Sequence, residues 1–176
     1  MLTVHHLNNS RSQRVLWLLE ELGLDYDIRF YTRNLETNLA PPELEAVHPL
    51  GKSPVLTDDD NTIIESGAII DYVLRRYGNG RLMPEPGSAS HEAYLQWLHY
   101  AEGSAMLPLM LRMYTSRLPD GGEALQPRIN DELNRHLGKT GEIPMTHSRG
   151  ERWPRTVAEA RQVQERLRDR LSCRDD

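Results

Sequence analysis

The stretch HPLGKSPVL, residues 48–56, places two prolines and a glycine around Lys52 and Ser53 and then continues into the apolar pair VL. Such a pair indicates the start of a β-strand, yet Pro54, directly before it, has no N–H group for a neighbouring strand. Two interpretations are open. In the first, Pro54 opens an edge strand. In the second, the Ser53–Pro54 bond is cis and leaves the main chain of Ser53 free to pair with a bound molecule.

The segments around this stretch predict a compact α/β domain. Alternating or short apolar runs predict strands, and apolar residues at helical spacing predict helices. The predicted order is strand 2–7, helix 13–23, strand 25–31, short helix 40–47, two strands within 53–66 separated by the turn-like DDDN, and helix 66–78. This order, β-α-β-α-β-β-α, contains one βαβ unit and ends near Gly78.

The rest of the chain predicts an all-α second region. Residues 80–89 are rich in Gly, Pro and Ser and are predicted to be a linker. A long apolar helix is expected to begin with Ser90 as its N-cap and to bend at Pro108, and a second helix should end at Gly138. The predicted boundaries are therefore residues 1–79, a linker at 80–89, a helical domain at 90–138 and an atypical polar tail at 139–176.

Composition excludes several classes of partner. The chain has 176 residues and a formal net charge of -5, which offers no positive field for nucleic acid or anionic lipid. No apolar run approaches the length of a membrane span. The one cysteine, Cys173, provides neither a disulfide framework nor a thiolate metal cage, so a cytoplasmic location is expected. His5 and His6 are adjacent on a strand and point to opposite faces, so no metal site is predicted.

Three segments of residues 1–138 resemble bacterial glutathione S-transferases in their order and spacing. They are SRSQRVLWLLEELGLDYDIRFY from Ser10, LAPPELEAVHPLGKSPVL from Leu39 and ESGAIIDYVLRRYG from Glu65. The resemblance implies a thioredoxin-like glutathione-binding domain at residues 1–79 followed by an all-α C-terminal domain, incomplete here. It also implies a homodimer and a detoxification enzyme that joins the thiolate of glutathione, its co-substrate, to a small hydrophobic electrophile.

The resemblance assigns a glutathione site to two of these segments. It raises the expectation of a cis Pro54, with the main chain of Ser53 pairing with the cysteinyl part of the tripeptide as an added strand would. Ser66, at an expected N-cap, would hold the γ-glutamyl carboxylate, and Glu65 would accept the ammonium group. Lys52 would meet the glycyl carboxylate or stay in solvent. The alternative for Glu65 and Ser66 is a solvated charge beside an ordinary helix cap.

Catalysis requires a hydrogen-bond donor for the thiolate, because a free thiol is mostly protonated at neutral pH. The polar corner before the first helix offers Ser10, Asn9 and Ser12, ranked in that order. Ser10 resembles the catalytic serine by its context, whereas counting back from EELG places Asn9 in that position. Each of the three could instead be a helix cap. Tyr100, Met106, Met110 and Tyr114 are candidates for the electrophile pocket, with core or dimer packing as the alternative.

Residues 139–176 depart from the family pattern. The family continues with a buried helix opened by a capping box, whereas this segment is polar, proline-broken and arginine-rich, and allows at most one terminal amphipathic helix. A shifted reading frame or a truncated gene is one hypothesis for this change. Two alternative functions therefore remain: a non-catalytic thioredoxin-like interaction module, and an inactive truncated relic with weak glutathione binding. A glutathione-dependent reductase of the same fold belongs with the transferase in the main interpretation.

Overall fold

A computed structural model describes residues 1–118, 122–139 and 157–172 of the chain. The chain divides into two compact units, of which the first contains Met1–Met83 and the C-terminal helix and the second lies within Pro84–Glu151. The elements are β1 (Leu2–Leu7), α1 (Ser12–Leu22), β2 (Asp27–Tyr31), α2 (Pro42–Glu45), β3 (Val55–Asp58), β4 (Asn61–Ile64), α3 (Ser66–Tyr77), α4 (Ala89–Tyr100), a π-helical turn (Ala101–Ala105), α5 (Met106–Thr115), α6 (Gln126–Lys139) and α7 (Val157–Ser172).

The first unit is built on a four-stranded mixed sheet with the strand order β2-β1-β3-β4. β1 runs parallel to β2 and antiparallel to β3, so that Val4 lies between Ile28 and Leu56. β1 is nearly all buried because it is an inner strand covered on both faces. The predicted thioredoxin-like order β-α-β-α-β-β-α is confirmed, as is a helical region after it.

The two faces of the sheet are covered by different helices. On one face, α1 packs against β1 and α3. On the other face, Leu44 of α2 is fully buried against Leu7, Tyr31 and Val55. Since alternate strand residues point to opposite faces, His5 lies on the same face as Leu7, whereas His6 points toward α1.

A left-handed glycine ends α1 where the sequence predicts. Gly23 has a φ of 65°, and its N–H donates to the carbonyl of Glu20. The N–H of Leu24 donates to the carbonyl of Leu19 at 3.0 Å. Glycine adopts this conformation without the clash that a Cβ would cause, so the last carbonyls of the helix are satisfied locally.

A buried aspartate joins β3 to the end of α3. Asp58 is 1% exposed and accepts hydrogen bonds from Tyr72, at 2.8 Å, and from Tyr77. The guanidinium of Arg76 and the N-terminal ammonium of Met1 each lie 3.5 Å from its carboxylate. Burial acts to raise the pKa of Asp58, but the hydrogen bonds from Tyr77 and Tyr72 and these two cations hold it below its ordinary value.

In the second unit, α4 begins two residues earlier than expected. Ser88, and not Ser90, is the N-cap, and its hydroxyl accepts a hydrogen bond from the N–H of His91 at 3.1 Å. Both serines can cap a helix, so the local sequence does not distinguish them. At the other end of the unit, α6 continues through Gly138 to Lys139, so the expectation that Gly138 closes it is wrong.

The predicted long helix is divided into α4 and α5 by a π-helical turn. The turn occupies Ala101–Ala105 and ends before Pro108, which lies in the first turn of α5. Proline has no N–H to donate to the carbonyl four residues earlier, here Ser104, and π-helical turns are one way for a helix to absorb such an interruption. The disturbance assigned to Pro108 from the sequence therefore appears one turn before it.

Part of the predicted polar tail is the helix α7, which packs against α1. Leu167 is 8% exposed in this contact. Glu20 of α1 is also buried, and its carboxylate accepts hydrogen bonds from Arg166 at 2.8 Å and from Tyr26 at 2.8 Å. Nε of Arg170 lies 3.0 Å from the same carboxylate and forms an ion pair with it. Burial acts to raise the pKa of Glu20, but the donors Arg166 and Tyr26 and the charge of Arg170 hold it below its ordinary value.

Candidate functional site

The corner between β1 and α1 is held by one arginine of the segment after β2. The Arg33 guanidinium donates to three main-chain carbonyls: those of Asn8 (3.0 Å), Asn38 (2.9 Å) and Asn9 (3.4 Å). The main-chain N–H of Arg33 also donates to Oδ1 of Asn8 at 2.9 Å. Asn9 has a φ of 53°, in the left-handed region that asparagine tolerates better than most residues. The shape of the corner is therefore set by main-chain contacts and by one asparagine side chain.

The structure brings the corner together with the start of β3. The Ser53–Pro54 bond is cis, as the resemblance implies. The hydroxyl of Ser10 donates to Oγ of Ser53 at 3.1 Å. The Ser53 hydroxyl in turn donates to the carbonyl of His5 at 2.9 Å and accepts from the N–H of Leu7 at 3.3 Å. Two residues that the sequence assigns to separate roles are thus in direct contact.

Ser12 lies behind Ser10, in the interior. It has no exposed surface, and its hydroxyl is 2.7 Å from that of Ser10 and 2.8 Å from Nδ1 of His6. Its main-chain N–H also contacts Oγ of Ser10 at 3.3 Å, so Ser10 satisfies one of the free N–H groups at the start of α1. Sequence reasoning missed His6, which it weighed only as a metal ligand. The sequence did contain a signal for this role. Adjacent residues on a strand point to opposite faces, so if His5 faces away from α1, His6 must face toward it.

Asn9 is exposed at the same corner. Its side-chain amide has no hydrogen-bond partner among the residues that the structure describes. Asn9 and Ser10 therefore offer two kinds of donor: an unengaged amide on the surface, and a half-buried hydroxyl that is already part of a hydrogen-bonded group.

The start of α3 presents a second set of polar groups. The helix begins at Ser66, so its N-cap position is Glu65, one residue earlier than the sequence predicts, and no side chain caps it. Ser66 is 4% exposed, and its hydroxyl has no hydrogen-bond partner within the described parts of the chain. The first main-chain N–H groups of a helix are also without intrahelical partners, and together with a hydroxyl they favour a carboxylate.

Two charged residues flank these groups. Glu65 has a φ of 67° and an exposed side chain, and Lys52 is exposed in the segment before the cis bond. Neither forms an ion pair with any other residue that the structure describes. Lys52 and Glu65 therefore present one positive and one negative charge that are not engaged by the described residues.

The four residues predicted to line an electrophile pocket all lie in the second unit. Tyr100 ends α4, and its hydroxyl is 2.7 Å from Nδ1 of His136 on α6. Met106, Met110 and Tyr114 follow each other at intervals of four along α5 and so share one face of that helix. Tyr114 is 54% exposed, whereas both methionines are half-buried. Their role in binding an electrophile stays a prediction.

The described residues contain neither a metal-binding cluster nor a membrane-spanning helix. No group of three or more His, Cys, Asp or Glu side chains in those residues is arranged to hold a metal ion. No helix there combines the length and the apolar character needed to cross a membrane.

Comparison with known proteins gives a consistent result for the first unit. Residues 1–75 match the family of the glutathione S-transferase N-terminal domain. Glutathione S-transferase 3 of Schizosaccharomyces pombe is 44% identical over 106 residues, which are 60% of this chain and 43% of that protein. The crystal structure of a glutathione S-transferase from Actinobacillus pleuropneumoniae superposes with a TM-score of 0.69 at 34% identity, covering 81% of this chain and 65% of that one.

A third similar protein was solved with a ligand. It is a glutathione transferase of Phanerochaete chrysosporium in complex with oxidized glutathione, with a TM-score of 0.67 and 28% identity over 81% of this chain and 67% of that one. The chain thus spans less than half of the fission-yeast relative and about two thirds of the two solved structures. The similar proteins come from fungi as well as from a bacterium.

Proposed function

Because residues 1–75 match the glutathione S-transferase N-terminal domain family, we propose that this chain binds glutathione at the corner between β1 and α1 and promotes ionisation of its thiol. The observation that carries this proposal is the contact of 3.1 Å between the hydroxyls of Ser10 and Ser53. A cysteinyl group that pairs with the main chain of Ser53 would have its sulfur beside the hydroxyl of Ser10.

The remaining arms of glutathione have matching groups. Ser66 and the first N–H groups of α3 would bind the γ-glutamyl carboxylate, because hydroxyl and main-chain donors at a helix start favour an anion. Glu65 would accept the ammonium group and Lys52 the glycyl carboxylate. Each of these three side chains is free of protein partners within the described residues, so binding would break no existing side-chain interaction.

Ser10 is the proposed donor to the sulfur. Ser10 is half-buried, whereas Ser12 is fully buried behind it and would act through it. A hydrogen bond to a charged acceptor contributes about 1.5–3 kcal/mol, which corresponds to a lowering of the thiol pKa by about 1–2 units. Asn9 is the second candidate donor, because its exposed amide is unengaged.

We further propose that the thiolate is used for conjugation to a small hydrophobic electrophile. The thiol proton passes to solvent, a sulfur lone pair forms the new carbon–sulfur bond, and the leaving group departs with its bonding electron pair. Tyr100, Met106, Met110 and Tyr114 are the proposed contacts of the electrophile. A cytoplasmic homodimer, like the detoxification role, belongs to this proposal and follows from the family resemblance.

The test is a titration of the bound thiol. Glutathione is added to the full chain, binding is measured by calorimetry, and the ultraviolet absorbance of the thiolate is followed against pH. We expect a thiol pKa well below the free value of about 8.5, and a rise of about 1–2 units in the Ser10→Ala variant. Ser172→Ala, an exposed serine at the end of α7, is the matched control and should change nothing.

Three outcomes separate the alternatives. Binding with an unchanged thiol pKa would leave only a non-catalytic glutathione-binding module. No binding at all would overturn the proposal. A lowered pKa with turnover of a disulfide or a peroxide, and none of an electrophile, would assign the same site to a reductase.

A further inference from the structure

A line of hydrogen bonds leads from the proposed thiol site into the interior of the first unit. It joins Nδ1 of His6 to Oγ of Ser12 (2.8 Å), Ser12 to Oγ of Ser10 (2.7 Å), and Ser10 to Oγ of Ser53 (3.1 Å). The line ends where Ser53 meets the main-chain carbonyl of His5 at 2.9 Å. His6 is 7% exposed, and its ring packs edge-on against Phe30.

The carbonyl at the end of the line fixes the direction of every bond in it. A carbonyl oxygen only accepts, so Ser53 uses its single hydroxyl proton there. Ser10 must then donate to Ser53, which leaves Ser12 as the donor to Ser10. The proton of Ser12 is thereby used, and the contact between Ser12 and His6 requires that Nδ1 of His6 carries a proton and donates it.

We propose that His6 is a positioning residue that, through Ser12, holds the Ser10 hydroxyl as a donor to the sulfur of glutathione. This inference rests on the proposed function and extends it to a buried side chain. Oγ of Ser10 receives donors from the hydroxyl and the N–H of Ser12, so its own proton must point away from Ser12. Without glutathione that proton goes to Ser53, and with glutathione it turns to the sulfur.

The turn toward the sulfur leaves no polar group without a partner. Oγ of Ser53 still accepts the N–H of Leu7 and still donates to the carbonyl of His5. The other tautomer of His6 would have the opposite effect, because an unprotonated Nδ1 would accept the proton of Ser12. Ser12 could then no longer donate to Ser10, and the proton of Ser10 would be free to turn inward, away from the sulfur.

The expected size of the effect follows from the strengthening of linked hydrogen bonds. A hydrogen bond to a charged acceptor raises the ionisation constant of the thiol by about ten- to a hundredfold. A neighbouring bond in the same chain strengthens that hydrogen bond by up to about 30% of its free energy. Loss of the His6 donor should therefore lower the ionised fraction of bound glutathione by about two- to fourfold at a fixed pH below the thiol pKa. Loss of the Ser10 hydroxyl itself should have a larger effect.

The test compares variants of the full chain with saturating glutathione. His6→Phe and Ser12→Ala should each lower the thiolate absorbance by about two- to fourfold, and the double variant should lower it no further because both act through one bond to Ser10. His6→Asn should retain most of the absorbance, since its amide can donate from near the position of Nδ1. His99→Phe, an exposed histidine of α4, is the matched control.

A second measurement needs neither glutathione nor a folded variant. Nitrogen-15 NMR of the histidine rings in the unmodified chain should show neutral His6 protonated at Nδ1. A proton found only at Nε2 overturns the proposal, as does an unchanged thiolate absorbance in His6→Phe. If the unmodified chain fails to bind glutathione, the proposed function fails, and the NMR result still decides the direction of the hydrogen bonds.

Discussion

Replacing Arg166 and Arg170 with glutamine should detach the C-terminal helix from the first unit. Arg166 donates a hydrogen bond to the carboxylate of Glu20, and Arg170 forms an ion pair with it. Glu20 is 7% exposed, and its remaining donor among the described residues is Tyr26. The perturbation therefore removes the positive charge opposite a buried negative charge. Leu167 is buried in the described part of α7, and the guanidinium of Arg170 also lies 4.6 Å from the centre of the Tyr26 ring. The double variant therefore loses this ring contact as well as the ion pairs.

The magnitude follows from the exposure of the partners. Removing one side of a fully buried ion pair costs about 3–5 kcal/mol. Here the arginine side chains are 47% and 44% exposed, so solvent already screens them and the cost is reduced. We expect a loss of about 2–3 kcal/mol in the free energy of unfolding for the double variant, and about 1 kcal/mol for Arg166→Gln alone.

The effect should depend on pH in a defined direction. The pKa of Glu20 is lowered in the folded chain from an ordinary value of 4.5. The stabilisation is therefore fully present above that value and is lost as the pH falls through the folded-state pKa. The double variant and the unmodified chain should differ at neutral pH and converge in acid, below the folded-state pKa of Glu20.

Urea unfolding gives the stability, and hydrogen exchange of the α7 amides shows whether the helix itself is released. Arg168→Gln is the matched control, because it removes the same charge from the same helix at an exposed residue with no ion pair to the described residues. Equal losses for Arg166→Gln and Arg168→Gln would refute the reasoning, as would full amide protection of α7 in the double variant.

Asp58→Asn should destabilise the first unit by about 1–2 kcal/mol at neutral pH, because Tyr72 and Tyr77 lose a charged acceptor. The pKa of Asp58 is lowered, so urea midpoints of the variant and the unmodified chain should converge in acid. Ser66→Ala should weaken glutathione binding about tenfold by calorimetry, through one lost hydrogen bond to a carboxylate. Arg33→Met should weaken it several-fold by loosening the corner, with a change in unfolding free energy below about 1 kcal/mol. An unchanged glutathione affinity would contradict the predictions for Ser66→Ala and Arg33→Met.

The element order could be predicted because its signals are local. Alternation in β2, helical spacing in α1 and the glycine after it are each contained in a few neighbouring residues. The proximity of Ser10 and Ser53 is different, since 43 positions separate them. The family resemblance assigned both residues to one bound peptide, but it did not predict their direct contact, and no spacing rule would have done so.

Most of the interactions that the sequence does not predict depend on how separate elements pack together. The apolar spacing of α1 does not reveal that Glu20 is buried, because its partner Arg166 lies 146 positions away in a segment with little apolar content. The burial of Ser12 against His6 depends on how α1 lies on the sheet. The start of α4 at Ser88 was missed for a local reason, since two serines two residues apart are equally suited to cap it.

Arg33 fastens the corner almost entirely through carbonyl groups, which every amino acid possesses. The main-chain conformation of the corner is therefore largely independent of which side chain residue 9 carries. Position 9 could exchange its amide for another side chain that accepts the same left-handed turn, and the sulfur would meet new chemistry in an unaltered frame. Under the proposed function, a substitution at position 9 would then change the chemistry near the sulfur and leave the place where glutathione is held unmoved.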